Sequence, residues 1–291
     1  MLAAAPEVVR DLASLAGRVS GWRRAGLRVA LVPTMGALHA GHLALVAAVR
    51  GAADRVVTSI FVNPLQFGSG EDLDRYPRDE AGDLAKLGGA GCDLAWLPTP
   101  AQMYPAGACT AVEPGGPALG WEGDVRPGHF RGVATVCTKL FSATGADVAV
   151  FGEKDWQQLQ VVRRVVEDLC LPVRILPVPT VRDADGLPLS SRNARLTPAE
   201  RARAAVFSSV LKRTATAIAA SSQPGPAVAD GLDGLSAAGF RPDYLALVDP
   251  VSLRPWQAGP GRLIAAARLG DVRLLDNLAV PAPSPVPEHH P

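Results

Sequence analysis

Aromatic residues are scarce in this chain, 5% of the whole, and lysine is scarcer. Lys86, Lys139, Lys154 and Lys212 are the only lysines, and arginine supplies the rest of the 29 basic residues. Against 28 acidic residues the net charge is +1. A near-neutral chain with few rings on which bases can stack argues against an extended nucleic-acid surface. The arginines around Arg201 and Arg203 read as a solvated helix face. Cysteine is also sparse: Cys92, Cys109, Cys137 and Cys170 are far apart and form no C-x-x-C, so they read as buried thiols of a reducing compartment. No apolar run approaches the ~18 residues that span a bilayer. The beginning of the chain carries Glu7 and Asp11 where a signal peptide needs basic and then apolar residues. A cytoplasmic location is the expectation.

What is present is a folding composition, 48% hydrophobic and 20% charged over 291 residues, long enough for about two domains. Apolar, β-branched runs at 27–32, 55–62, 92–97, 147–151 and 173–178 predict buried strands, and the segments between them predict helices. A helix over 6–24 precedes the first strand. Strands alternating with helices imply right-handed crossovers and a doubly wound parallel sheet. Residues 98–127, rich in Pro and Gly, receive no assignment beyond short strands or a subunit contact. Thr197-Pro-Ala-Glu200 announces a further helix, with Thr as N-cap, Pro at the first position and Glu three residues after the cap. Past a Pro/Gly linker at 223–226, a second helix and short strands at 244–249, 262–268 and 272–275 predict a small α+β domain. The Pro-rich residues 281–291 predict a disordered tail, in which His289 and His290 carry no weight.

One stretch organises the rest: Leu31-Val-Pro-Thr-Met-Gly-Ala-Leu-His-Ala-Gly-His-Leu43. A strand stopped by Pro33, a turn at Gly36 and a helix after Gly41 make the geometry in which free N–H groups and a positive helix end face a phosphate. His39 and His42 stand at that mouth. The spacing from Gly36 to Gly41 is that of a P-loop, but His42 and Leu43 replace its Lys and Ser/Thr. No G-x-G-x-x-G follows the strand, which excludes a dinucleotide fingerprint. A zinc pair lacks H-E-x-x-H spacing and a nearby acidic or cysteine ligand. Two histidines that merely cap a helix are the plain alternative.

Other polar groups stand at strand ends, where open parallel sheets bind ligands. Asn63 and Gln66 follow the second strand. Lys154, between Glu153 and Asp155, follows the fourth, with Gln157 and Gln158 opening the next helix. An ammonium there suits phosphate oxygens. It equally suits its own acidic neighbours, and Asn63 equally suits a polar turn. Ser190-Ser-Arg192-Asn193, on a glycine-containing loop, fits a mobile flap over di- or triphosphate oxygens.

Together the blocks Pro33-Thr-Met-Gly-Ala-Leu-His-x-Gly-His42, Phe61-Val-Asn-Pro-x-Gln-Phe67, Arg126-Pro-Gly-His-Phe-x-Gly-Val133, Phe151-Gly-Glu-Lys-Asp-x-Gln-Gln158 and Ser190-Ser-Arg-Asn193 resemble the pantothenate synthetase (pantoate–β-alanine ligase) family, in its order and at about its spacing. The resemblance implies a Rossmann-like catalytic domain over 1–180 that binds ATP and pantoate, an α+β lid domain over 181–280, and a homodimer. It implies activation of pantoate by ATP to pantoyl adenylate, with Mg²⁺, followed by capture with β-alanine. His42, His39 and Lys154 would be catalytic, with His42 as proton donor. Met35, Gly36, Gly152, Asp155, Val181, Leu189, Ser190, Ser191 and Arg192 would line the ATP site beside them. Gln66, Gln158, Asn63 and Met35 would hold pantoate or β-alanine. No resident metal ligand is assigned, although Asp83 is a possibility. Ala40 and Leu189 depart from the family's usual acidic or amide residue and Met. A nucleotidylyltransferase of the H-x-G-H type is the second reading, and the neutral Gln66 and Gln158 weigh against it.

Overall fold

The apolar runs of the first part of the chain become parallel strands in a computed structural model that describes residues 5–221 and 223–282. The strands are β1 (Glu7–Val9), β2 (Val29–Thr34), β3 (Arg55–Ile60), β4 (Leu94–Trp96), β5 (Val148–Gly152) and β6 (Arg174–Val178), in the order β1-β4-β3-β2-β5-β6. From β2 the chain moves outward one way through β3 and β4, then returns and moves the other way through β5 and β6. The switch point therefore lies between β2 and β5, where such sheets bind their ligands. Those two strands pair only at Ala30 with Val148 and Leu31 with Ala149. Beyond that point their carboxyl ends no longer pair with each other, so the crevice opens there.

The helices around this sheet are α1 (Leu12–Arg24), α2 (Ala40–Val49), α3 (Glu80–Ala90), the one-turn α4 (Pro100–Met103) and α5 (Glu122–Val125), α6 (His129–Thr144) and α7 (Trp156–Asp168). The period of two along each strand divides the core between the two faces. Val29, Leu31, Ala149 and Phe151 pack with Leu15 of α1, Val133 of α6 and Leu159 of α7. Ala30, Val32, Val148 and Val150 pack with Val46 and Val49 of α2 and Leu87 of α3. A sheet covered on both sides explains why its strands read as continuous apolar runs. Where the strands begin, aspartates satisfy the first N–H groups of their neighbours. Arg28 N donates to Asp54 (2.9 Å), Val56 N to Asp93 (2.8 Å) and Val29 N to Asp147 (2.7 Å). These three carboxylates lie at the ends of the strands remote from the crevice.

The chain divides into two compact units, residues 1–181 and 182–291. In the second, α8 (Pro198–Ala219) and α9 (Pro224–Ala237) pack on the antiparallel sheet β7 (Arg241–Val248), β8 (Gly261–Leu269) and β9 (Val272–Val280). Phe207, Leu211, Leu235, Phe240 and Leu263 form its core. The capping box at Thr197 is present: Glu200 N donates to Thr197 Oγ1 (3.3 Å), and Thr197 N to Glu200 Oε2 (2.8 Å).

Several expectations need correction. The predicted helix over 6–24 begins at Leu12, capped by Asp11, because residues 7–9 pair with β4 as an edge strand. The supposed linker at 223–226 is the first turn of α9, where Pro224 costs nothing because the first N–H of a helix has no partner in it. Residues 98–127 hold short helical turns and, among the described residues, no strand. Cys92 and Cys137 are buried, but Cys109 and Cys170 are exposed, and all four are free thiols. The predicted tail lies, beyond Ala282, outside the described residues. Among those described, no helix is long and apolar enough to cross a membrane.

Leu94, fully buried in β4, tests the account of the core. Leu94→Ala leaves a cavity between sheet and helices and is expected to cost about 2–5 kcal/mol of stability, read as a lowered urea midpoint. An unchanged midpoint contradicts the assignment of Leu94 to the core.

Candidate active site

β2 ends at Thr34, whose hydroxyl donates to Ser59 O (2.8 Å) on β3. The turn that follows uses left-handed backbone at Gly36 (φ 82°) and at Ala37 (φ 51°), a conformation costly for a residue with a Cβ. Asp83 of α3, 1% exposed, holds it: Ala37 N donates to Oδ2 (2.8 Å) and Leu38 N to Oδ1 (2.7 Å). A Cβ at Gly36 would stand 3.1 Å from both Asp83 Oδ2 and the Ile60 side chain, so glycine is needed for space as well as for φ.

The turn delivers His39 as the N-cap of α2. Gly41 N donates to His39 Nδ1 (3.1 Å), and His39 N to His42 Nδ1 (3.3 Å). A backbone N–H can only donate, so both Nδ1 atoms are acceptors and the ring hydrogen of each neutral imidazole sits on Nε2. Capping and ligand binding are therefore not alternatives, because they use different nitrogens. The rings lie 4.1 Å apart. Burial, then His39, then Lys154 and Lys86 push the pKa of His42 down to about 3 against the opposing pull of Asp155, so His42 is neutral at pH 7.

Across the switch point, β5 runs out at Gly152 into a tight turn, Glu153–Asp155. Lys154 Nζ stands 3.4 Å from Asp155 Oδ1, and both charges act on His42. The first crossover and the end of β5 thus meet, as their sequence positions predict. A Cβ on Gly152 would touch nothing but Lys154 N at 4.0 Å, so the space beside this strand end is open.

The third part of the crevice is the turn after β3. Asn63 is 1% exposed and its amide is engaged four times. Its Nδ2 donates to Gln66 Oε1 (3.0 Å) and Gly132 O (3.1 Å), and its Oδ1 accepts from Leu65 N (3.3 Å) and Tyr104 Oη (2.7 Å). Expected as a substrate contact, it holds the side chain of Gln66, whose Nε2 lies 3.1 Å from Met35 Sδ. The Gln66 carbonyl accepts from His129 Nδ1 (2.9 Å) and Arg126 Nη2 (3.3 Å). That fixes the His129 hydrogen on Nδ1 and leaves Nε2 to accept from Arg126 Nη1 (3.0 Å). Burial and then Arg126 hold His129 down at about 4, hence neutral. Arg126 is itself clamped by Glu71 at 2.8 and 2.7 Å. Gly132 lets α6 approach this turn: a Cβ there would fall 2.2 Å from Leu65 O. None of these supports was assigned from sequence, although Arg126, His129 and Gly132 all lie in a quoted block. Of the glutamine pair on α7, Gln157 is consumed by the backbone of 117–122, while Gln158 is half-buried and makes no side-chain hydrogen bond among the described residues.

In the second unit the loop after Val181 carries several side-chain ties. Arg182 makes a two-pronged pair with the buried Asp276 (2.7 Å each), Arg201 binds Asp183 (2.8 Å) and Asp185, and Asn193 Nδ2 donates to Pro188 O (2.9 Å). Leu189 is half-buried in that loop. Ser190 caps the turn Ser191–Arg195, its Oγ accepting from Arg192 N (3.3 Å).

Asp83 does not suit a metal. Both oxygens are spent on backbone N–H groups, and the nearest side-chain charge is Lys86 Nζ at 3.7 Å. Among the described residues no three His, Cys, Asp or Glu side chains cluster as metal ligands. Neutral donors and an ammonium suit a phosphate chain instead.

Fold and site define the class: a Rossmann-like α/β protein of the H-x-G-H kind, with its donors gathered at the switch point. The family model for pantoate-beta-alanine ligase matches residues 7–279. The pantothenate synthetase of Rhizorhabdus wittichii is 55% identical over 281 residues, 95% of this chain and 100% of that protein. The crystal structure of pantothenate synthetase from Thermus thermophilus superposes with a TM-score of 0.86 at 48% identity, covering 94% of this chain and 99% of that one. The pantoate-beta-alanine ligase of Francisella tularensis, complexed with beta-gamma ATP and beta-alanine, gives a TM-score of 0.82 at 30% identity over 94% of this chain and 97% of that one. The chain belongs to the pantoate–β-alanine ligase family.

The capping geometry makes a spectroscopic prediction. At pH 5.5, where a free imidazole is mostly charged, ¹⁵N NMR is expected to find His42 neutral with its hydrogen on Nε2, in keeping with a pKa of about 3. A charged ring, or one protonated on Nδ1, contradicts the geometry.

Proposed function

We propose that this protein condenses pantoate with β-alanine at the expense of ATP, through pantoyl adenylate. A carboxylate oxygen of pantoate attacks the α-phosphorus, the bond from that phosphorus to the β-bridging oxygen breaks, and pyrophosphate leaves. The amine of β-alanine then attacks the acyl carbon, the acyl–oxygen bond breaks, AMP leaves and the amine gives up a proton. The observation that carries this reading is the meeting of His39, His42 and Lys154 at the switch point beside Gln66, in a chain of this family.

Neither step needs a protein nucleophile; both need alignment and fixed donors. His39 and His42 donate through Nε2 to phosphate oxygens, so the proton-donor part of His42 is hydrogen bonding by a neutral ring. Lys154 supplies the positive charge. Met35, Gly36, Gly152 and Asp155 line the nucleotide, with Val181 on the adenine side; in the second unit, Leu189, Ser190, Ser191 and Arg192 form a segment whose donors suit phosphate oxygens. Gln66 and Gln158 hold the hydroxyl and carboxylate of pantoate, and Asn63 acts through Gln66. The first unit is thus the catalytic domain and the second the lid domain. ATP enters as its Mg²⁺ complex, the metal held by phosphate oxygens. A homodimer is supported by Leu65, Leu119 and Val125, large apolar side chains that are exposed. Free thiols support a cytoplasmic location.

The test is product analysis with ATP, pantoate and β-alanine. One AMP and one amide are expected per ATP consumed, whereas a stable dinucleotide product rejects the reaction. Lys154→Ala and His42→Ala are expected to cut pantoate-dependent pyrophosphate release by about 10²–10³-fold, with an unchanged unfolding midpoint for Lys154→Ala and a lowered one for His42→Ala, which also loses the bond from His39 N. Near-wild-type release rejects their roles.

A further inference from the structure

We propose that Asp83 is a positioning residue for the reaction, acting through the 36–38 turn to fix the register and tautomers of His39 and His42 rather than by binding a cation. This inference rests on the ligase reading above.

The geometry is specific. Asp83 reaches the turn from α3, 45 and 46 residues away in sequence, and accepts from two consecutive N–H groups at 2.7 and 2.8 Å. One of them belongs to Ala37, held at φ 51°. A non-glycine residue persists in that region only where its surroundings over-determine it. Here Asp83, 1% exposed, is the side chain that accepts from Ala37 N and Leu38 N, beside a weaker bond from Gly36 N to Thr34 Oγ1 (3.3 Å). The next residue after the anchored pair is His39, whose own N–H donates to His42 Nδ1. Leu38 N is tied to Asp83 and His39 N to His42, so consecutive amides transmit the position of the carboxylate to both rings. Rotating the His39 peptide would remove the acceptor relation that keeps the hydrogen of His42 on Nε2. An amide in place of the carboxylate can accept from one of the two N–H groups, but its NH₂ then faces the other. Asp83→Asn therefore loosens the turn with almost no change in volume.

The strain at Ala37 supplies a second handle. Glycine takes φ 51° without penalty. If the work of Asp83 is to hold that conformation, Ala37→Gly should recover part of what Asp83→Asn loses, whereas a lost cation ligand would not be restored by a backbone change 46 residues away.

The experiment measures ATP–pyrophosphate exchange with pantoate, over a range of Mg²⁺ concentrations, for the wild type, Asp83→Asn, Ala37→Gly and the double variant. It is accompanied by ¹⁵N NMR of the histidine rings and an unfolding midpoint for each. Asp83→Asn is expected to lower the exchange rate about 10²-fold, the effect of misplacing catalytic groups by about 1 Å, with the Mg²⁺ concentration at half-maximal rate unchanged. His42 should then show a population protonated on Nδ1, and the double variant should exchange several-fold faster than Asp83→Asn. An unchanged rate, a rate restored by excess Mg²⁺, or an unaltered His42 tautomer overturns the proposal. If Asp83→Asn does not fold, Gly36→Ala presses on the same carboxylate, and the same tautomer change is expected of it; its absence overturns the proposal equally. Absence of exchange in the wild type rejects the ligase reading instead, and the ring spectra still decide the part played by Asp83.

Discussion

Two hydrogen bonds, from Ala37 N and Leu38 N to the carboxylate of Asp83, tie a helix on one face of the sheet to the turn at its switch point. Much of the arrangement follows from that tie. The turn is left-handed at two successive residues, and only one of them is glycine. Without an acceptor for its N–H groups it would relax, and α2 would lose its starting point. With the acceptor in place, His39 becomes an N-cap, His42 falls three residues on, and each ring spends one nitrogen on backbone. Local folding thus sets the protonation pattern of the site before any substrate is present.

The electrostatics follow the same economy. His42 and His129 are both held neutral, by burial first and by neighbouring positive charge or a second imidazole after that. They serve as oriented dipoles, while Lys154 supplies a full charge. Preorganised neutral donors need no solvent rearrangement as charge builds on a phosphate, which is where such sites gain most over water. Around Gln66 the same pattern repeats one layer out. Its side-chain oxygen is fixed by Asn63, its carbonyl by His129 and Arg126, and Arg126 by Glu71. The linkage to stability runs in one direction. A histidine with a lowered folded pKa binds its proton more readily when unfolded, so each ring favours the fold above about pH 6.5 and withdraws that contribution as pH falls toward 4 for His129 and 3 for His42.

The sequence was most legible where periodicity and chemistry coincide. Continuous apolar runs marked five of the six parallel strands because both faces of the sheet are covered, and Thr197-Pro-Ala-Glu200 marked a helix start because capping is local. Strand ends marked His39, His42, Gln66 and Lys154 because parallel sheets expose ligands there. The illegible parts are those that depend on distant partners. Residues 7–9 look helical until β4 offers them an edge. Asp83 resembles any acidic residue of an amphipathic helix, since nothing local marks it as an acceptor for a turn 45 residues earlier. Gly132, in the first turn of α6, is a glycine inside a helix, and only the packing of α6 on Leu65 O shows what approaches it. In the loop after Val181 the pairing of Arg182 with Asp276, 94 residues on, has no local mark in the sequence.

The central claim is that oriented donors at the switch point serve attack by a carboxylate oxygen on the α-phosphorus, and isotope transfer tests it most directly. With pantoate carrying ¹⁸O in its carboxylate, complete turnover with ATP and β-alanine is predicted to leave one ¹⁸O in the phosphate of AMP and none in pyrophosphate. Unlabelled AMP, or label recovered in inorganic phosphate or pyrophosphate, would contradict the account.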